Sequence, residues 1–259
     1  MKKILPYLPL LFLLFGGCQP RQAPPQQATP LPLQTPDLIA YKTDTPLTID
    51  GHLDEPIYRL LPQIELKNSM NTQPVSDPAY ATYAYLCYDD SFFYASFMCM
   101  DKDIHSRFHT RDQRLWEEEA VEVFINLNAD TANYIEIEVS PANVVYDSYI
   151  VNPTEIVDST ATFNLHRLRT AVAIEGVWES RADLDTAWSV EMAIPIAELQ
   201  QKEGLPPQKL EESVWAINLF RLNLDDFGPR AFAWNPTKGS FHKPRLFGIL
   251  AFRESLPQR

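Results

Sequence analysis

Val121, Val123, Ile125 and Leu127 alternate with Glu122, Phe124 and Asn126, and a few residues on Ile135, Ile137 and Val139 alternate with Tyr134, Glu136, Glu138 and Ser140. A period of two sends each set to one side of an extended chain, so these segments read as strands with one face in a core. The same period recurs over residues 84–88, 92–100, 144–150, 168–174, 177–182, 188–194, 214–220, 231–234 and 247–252. Asp89-Asp90 stands between the first two as a hairpin turn. Helical signal is confined to residues 54–61 and to 196–203, the latter opened by Pro195 and closed by Gly204. About ten short strands with turn signals at regular spacing predict an all-β fold, an antiparallel β-sandwich with one or two short helices. With 45% hydrophobic and 12% aromatic residues the chain can fill such a core. No internal repeat or break divides residues 37–254, which read as one domain, with a tail at 255–259.

The first 36 residues belong to a different regime. Lys2 and Lys3 precede an apolar run over residues 4–15, then Gly16, Gly17 and Cys18. This resembles a bacterial lipoprotein signal peptide, residues 1–17, with Cys18 as the lipidated first residue of the mature chain. The run is too short for the roughly 20 residues a transmembrane helix needs. Gln19 follows the cysteine, which in a Gram-negative host predicts the outer membrane, with lipid as the only membrane contact. From Gln19 to Pro36 there are six prolines, five glutamines and one charge. That composition builds no core and reads as a semi-rigid tether, reaching roughly 55 Å at about 3.1 Å per residue.

A formal net charge of −12 argues against nucleic acid, whose phosphates need a basic face. Only eight glycines are present, few for phosphate-cradling loops. No Ser/His/Asp order, GxSxG, Walker loop or CxxC supports nucleophilic or redox chemistry. Cys87 and Cys99 flank the predicted hairpin turn. A tight turn at Asp89-Asp90 would pair Cys99 near Tyr80, roughly 23 Å along the strand from Cys87 and out of disulfide reach, so both read as buried free thiols.

Four ordered motifs carry a family resemblance. They are Leu47-Thr48-Ile49-Asp50-Gly51-His52-Leu53-Asp54-Glu55, the stretch from Leu115-Trp116 to Phe124-Ile125, Trp188-Ser189-Val190-Glu191-Met192-Ala193-Ile194-Pro195, and a closing set. The closing set holds Trp215 to Arg221, Trp234-Asn235-Pro236 and Phe241-His242-Lys243-Pro244-Arg245-Leu246-Phe247-Gly248. Over roughly residues 40–252 the chain resembles the family 9 carbohydrate-binding modules first known as appendages of xylanases. The resemblance implies a β-sandwich that holds a sugar between two aromatic rings. Trp116 matches the first ring and Glu122 a glutamate that bonds sugar hydroxyls. Phe241 stands where the second ring is a tryptophan. Glu138 matches the place of a sugar-contacting arginine, and Lys238 that of an asparagine. The platform is half kept and its polar contacts are altered.

The residues themselves add to this. Trp116 lies among charges, off any evident core face, and an exposed ring suits the apolar face of a pyranose. It shares parity with Glu122, yet a straight strand would hold them about 20 Å apart, so a common ligand needs a bend at the glutamate run. Glu117, Glu118, Glu119 and Glu122 read as a solvated face or a cation site rather than a catalytic pair, and the consecutive three as solvated. Nothing in the sequence marks a carboxylate of raised pKa or gives Glu122 an acid partner. Asp101-Lys102-Asp103 and Asp225-Asp226 could hold structural calcium, although solvated turns fit them better. His105, His109 and His166 show no metal spacing, while His242 beside Phe241 is placed either to reach a sugar hydroxyl or to pack a loop. Trp178, Trp188, Trp215 and Trp234 read as core. The reading is a non-catalytic binder that captures polysaccharide of the xylan or glucan type, requiring no cofactor. The alternatives are a glycoside hydrolase using carboxylates near Glu122, and a haem-binding sandwich, for which Met70, Met98, Met100 and Met192 offer no evident histidine partner.

Overall fold

The computed structural model describes residues 35–256 apart from 129, 152–157, 160–162, 178–184 and 226–227. The expected signal peptide, Cys18, almost all of the tether, Trp178, Asp226 and most of the strand expected over 177–182 lie outside the described residues.

In chain order the strands are β1 (Leu38–Lys42), β2 (Ile64–Glu65), β3 (Lys67–Asn68), β4 (Thr82–Tyr88), β5 (Phe92–Met100), β6 (Ala120–Asn126) and β7 (Asn133–Val139). They continue as β8 (Val145–Val151), β9 (Asp158–Ser159), β10 (Arg169–Glu175), β11 (Ala187–Pro195), β12 (Val214–Asp225), β13 (Gly228–Ala233) and β14 (Gly248–Arg253). One α-helix, α1 (Ile196–Lys202), follows Pro195, and Gly204 closes it at φ +66°. The segment expected to turn near residue 57 is a single 3-10 turn, Pro56–Arg59.

Hydrogen bonding runs through the order β10-β11-β5-β4-β1-β14-β12-β6-β7-β8-β9. The inner faces of the two flanks meet in one core: Leu86, Phe93, Phe97, Trp188 and Val190 from one side, and Val121, Val123, Ile125, Ile137, Trp215 and Leu219 from the other. This is the expected sandwich, with one departure from antiparallel order. β1 pairs parallel to both neighbours, Leu38 opposite Leu250 on β14 and Tyr41 opposite Cys87 on β4. It carries the sheet from one flank to the other.

The hairpin departs from its expected register. Cys99 lies opposite Thr82 and Cys87 opposite Tyr94, so the turn falls at Asp90-Ser91, one residue later than expected. Asp89 causes the shift: its carboxylate accepts from the Ser91 and Phe92 amides at 2.7 Å, and its own N–H donates to the Phe92 carbonyl. Both cysteines are free and buried, in core clusters on opposite faces of the hairpin. Burial pushes both thiols up, Cys99 to about 12.

Two buried acids are built into this frame. On β11, Glu191 accepts from the amides of Asp50 and Gly51 and from the Tyr58 hydroxyl. That explains the Asp50-Gly51 pair. The chain passes so close to β10 that a Cβ on Gly51, at φ +90°, would lie 2.5 Å from the Val172 carbonyl carbon. Asp101, at the end of β5, is the second. It accepts from the guanidinium of fully buried Arg221 and from the Asn223 amide, while Arg221 also donates to Thr82 and to the Met100 carbonyl. The expectation of a solvated or calcium-holding turn at Asp101 is therefore corrected: the site is filled by the chain's own cation.

Candidate binding cleft

β6, β7, β8 and β12 turn one face to the core. The other face does not meet open solvent, as the alternating pattern suggests, because the chain between β13 and β14 folds across it. The connection is fixed at three places. The Asn218 side chain on β12 donates to the Asn235 carbonyl and accepts from its amide. Asn235 in turn donates to the Leu246 carbonyl, and the Lys243 ammonium bonds the carbonyls of Thr237 and Lys238. Phe241 stacks on Phe220 of β12 with centroids 4.1 Å apart. His242 lies over Phe124, with Nδ1 2.6 Å from the Tyr134 hydroxyl, and burial holds its pKa below the usual value. Gly248 lies under the Trp234 ring, where a Cβ would come within 2.0 Å of it.

Trp116 is not on β6. It occupies a 3-10 turn, Leu115–Glu117, and the chain bends at Glu118 before the strand begins at Ala120. This supplies the bend that sharing a ligand with Glu122 requires. Leu115 anchors the turn among Phe108, Ala120 and Val144, and Arg107 holds it through Glu117 and Glu118. With its neighbour so anchored, the indole remains 45% exposed, edge-on to Tyr146 of β8 at 5.1 Å.

Between this turn and the folded-over connection lies a cleft of about 400 Å³. Trp116, Tyr146, Phe241 and His242 line it together with Glu122 and Glu136. Of the sequence-derived site residues, four thus meet in one cleft. Glu138 lies opposite Glu122 on the paired strand, fully buried beside the cleft. Lys238 is exposed at φ +54°, bonded through its backbone to Ser69, and is not among the lining residues.

The electrostatics correct the sequence reading. Glu117 is exposed, but Glu118 and Glu119 are buried, so the run is not a solvated face. Burial and nearby Asp101 hold the Glu119 carboxyl well above the usual range, partly offset by Arg221. Nor does Glu122 lack an acidic neighbour. Glu122, Glu136 and Glu138 are 2%, 5% and 0% exposed, and one carboxylate oxygen of each lies within 4.8 Å of the others. Burial first, and then mutual repulsion, raises Glu122 and Glu138 well above the ordinary carboxylate value, the Trp116 backbone opposing this at Glu138. Burial also raises Glu136, with neighbouring Glu138 partly opposing the shift. Among the described residues no lysine, arginine or histidine acts on the three.

Sequence reasoning missed Tyr146 and Glu136. Glu136 was within reach, since it shares strand and parity with Glu138. Tyr146 needed the β7–β8 register, which sets it opposite Glu138.

Comparisons with known proteins agree with this fold. The family described as carbohydrate family 9 binding domain-like matches residues 49–255. An extracellular protein of Arthroderma benhamiae is 29% identical over 207 residues, 71% of this chain and 84% of its own. Among solved structures, a protein of Bacteroides uniformis described as a candidate carbohydrate-binding protein superposes with a TM-score of 0.62 at 16% identity, covering 83% of this chain and 98% of its own. A family 9 carbohydrate-binding module of Caldicellulosiruptor kristjanssonii in complex with cellotriose gives a TM-score of 0.56 at 18% identity, covering 84% and 94%. Fold, motif order and the match over most of the length lead to one conclusion: the chain belongs to the carbohydrate family 9 binding domain-like family.

Proposed function

We propose that this domain is a non-catalytic carbohydrate binder that takes a pyranose ring between Trp116 and Phe241, with hydroxyl contacts from Glu122, Glu136 and His242. The observation that carries this reading is the cleft itself, with aromatic rings on its walls and carboxyl groups at its floor. Rings cover the apolar C–H faces of a sugar, and the carboxyls accept from its hydroxyls. The Caldicellulosiruptor modules, solved with cellotriose and with glucose, support a glucan-type ligand by analogy. Hydrolysis fits the geometry poorly. A hydrolase needs carboxyls on both sides of the bond, about 5–9 Å apart, whereas the three here cluster on adjacent strands β6 and β7.

The further reading is a lipid-anchored protein, carried at the outer membrane through Cys18 and a Pro/Gln-rich tether, capturing polysaccharide for degradation or uptake. The leader-like first 17 residues and the tether's composition support it.

A glycan array, followed by calorimetry on the best ligand, tests the binding site. Affinity in the millimolar range, about −4 kcal/mol, is expected of so small a platform, and Trp116→Ala should remove it while leaving the fold intact. Binding unchanged in that variant would place the site elsewhere. Release of reducing sugar by the wild type but not by Glu122→Gln would overturn the non-catalytic reading. For the anchor, Cys18→Ser should move the protein from the membrane to the soluble fraction.

A further inference from the structure

Three carboxyls of β6 and β7 converge from one face of the sheet. Glu122 and Glu138 are direct partners across the ladder, and Glu136 lies two residues from Glu138 on the same side. They are therefore placed by strand geometry, not by a mobile loop. Two other buried acids are answered from within the chain, Asp101 by Arg221 and Glu191 by two amides and a tyrosine. Here Glu122 Oε1, on a residue only 2% exposed, has no hydrogen-bond partner among the described residues although the side chain lines the cleft. A buried acceptor without a donor is costly to maintain.

The spacing indicates what would answer it. Oxygen ligands of calcium lie 2.3–2.6 Å from the ion, so the donors around one ion fall within about 5 Å of each other. The three carboxylate oxygens lie within 4.8 Å. We infer that Glu122, Glu136 and Glu138 form a calcium site at the floor of the cleft, and that hydroxyl groups of the carbohydrate complete the coordination shell. Calcium takes six to eight oxygens. Three carboxylates supply part of that number, and because Glu122 and Glu136 face the cleft, the remaining positions open where a ligand would lie. A divalent ion also answers more of the acidic charge than a single ammonium group could. This site is separate from Asp101, whose carboxylate is already engaged. The second half of the inference rests on the carbohydrate reading given above; the ion site does not.

The test begins with calorimetry of calcium into the full-length chain stripped by chelator. One ion per chain is expected, with a rise in melting temperature on adding calcium. Glu138→Gln and, separately, Glu136→Gln should each weaken calcium binding about 10–100-fold, a range typical of disturbed metal sites. If either variant fails to fold, terbium provides an independent readout in the wild type. Bound in place of calcium, it should emit on excitation of Trp116 and Tyr146, and the Trp116→Ala, Tyr146→Phe pair should lose most of that emission. Absence of calcium binding at 10 mM (about ten-thousandfold above micromolar), or unchanged affinity in both glutamine variants, overturns the ion site. Sugar binding should vanish in chelator and return with calcium. Sugar binding indifferent to calcium overturns the shared-shell half. Calcium bound by the three glutamates with no glycan bound under any condition sinks the carbohydrate reading while leaving the ion site standing.

Discussion

Asp101, just past β5 on one flank of the sandwich, and the group Glu122, Glu136 and Glu138, on β6 and β7 of the other, are both buried. The strands treat them differently. Asp101 faces Arg221 across the interior, and the guanidinium spends its other donors on Thr82 and Met100, tying β12 to the β4–β5 hairpin. Glu122 and Glu136 face the cleft with Glu138 beside them, and the three receive no cation from the described part of the chain. The difference separates an acid compensated within the scaffold from acids that are not. Compensation built into the sequence makes an acid part of the scaffold, whereas an acid left without it has to draw its counter-charge, or a proton, from outside.

The widest break in this comparison should come from Arg221→Met. It removes the cation and leaves Asp101 in a dry interior, at an expected cost of about 3–5 kcal/mol in denaturant unfolding. A loss below about 1 kcal/mol would mean that Asp101 is not held by its partner. Gly51→Ala tests the neutral arrangement at Glu191. A methyl group driven into the backbone of Val172, at a positive φ, should cost about 3 kcal/mol and loosen the amide contacts to Glu191. Glu138→Gln should act with the opposite sign. In chelator, replacing one of three repelling carboxyls by a neutral amide should raise stability by about 1 kcal/mol, since each unit of pKa displacement is worth about 1.4 kcal/mol. Destabilisation of similar size would show that the group is internally satisfied and belongs to the scaffold. The smallest effect is expected for Trp116→Ala, within about 1 kcal/mol of the wild type, because the ring is largely exposed and its one described ring contact is the edge of Tyr146. A large loss there would make the indole part of the core.

Much of the scaffold was legible because it obeys local rules. Phe92–Met100 is apolar but for Ser96, the mark of a strand buried on both faces, and Pro195 and Gly204 bracket α1 as capping logic requires. β1 escaped notice because it is five residues long and earns its place through parallel partners at the far end of the chain. β12 runs on past Phe220 to Asp225 because β13 takes over its edge there, a pairing that alternation cannot report. The site was half legible. Trp116, Glu122, Phe241 and His242 stood out by motif and indeed share a cleft. The glutamate cluster did not, because a glutamate on the polar side of an alternating strand looks solvated. Its burial is imposed by a connection about a hundred residues further along, whose position depends on Asn218, Asn235 and Lys243. Glu118 and Glu119 misled because they are buried beside Arg107 and beside Asp101 and Arg221, contacts that a run of acids does not announce.

The parallel pairing of β1 has a consequence for how the protein is made. The first strand of the domain hydrogen-bonds the last, Asp37 accepting from the Ile249 amide across 212 residues of sequence. A chain emerging from its N-terminal end cannot close its sheet until β14 has arrived, and until then the edges of β1 and β12 that flank the gap are bare. Such long-range closure is slow, and exposed strand edges invite pairing with other chains. The domain is therefore suited to a route in which the polypeptide is kept unfolded until it is complete, and a truncation of even the last strand should leave a sticky, open sheet rather than a smaller sandwich.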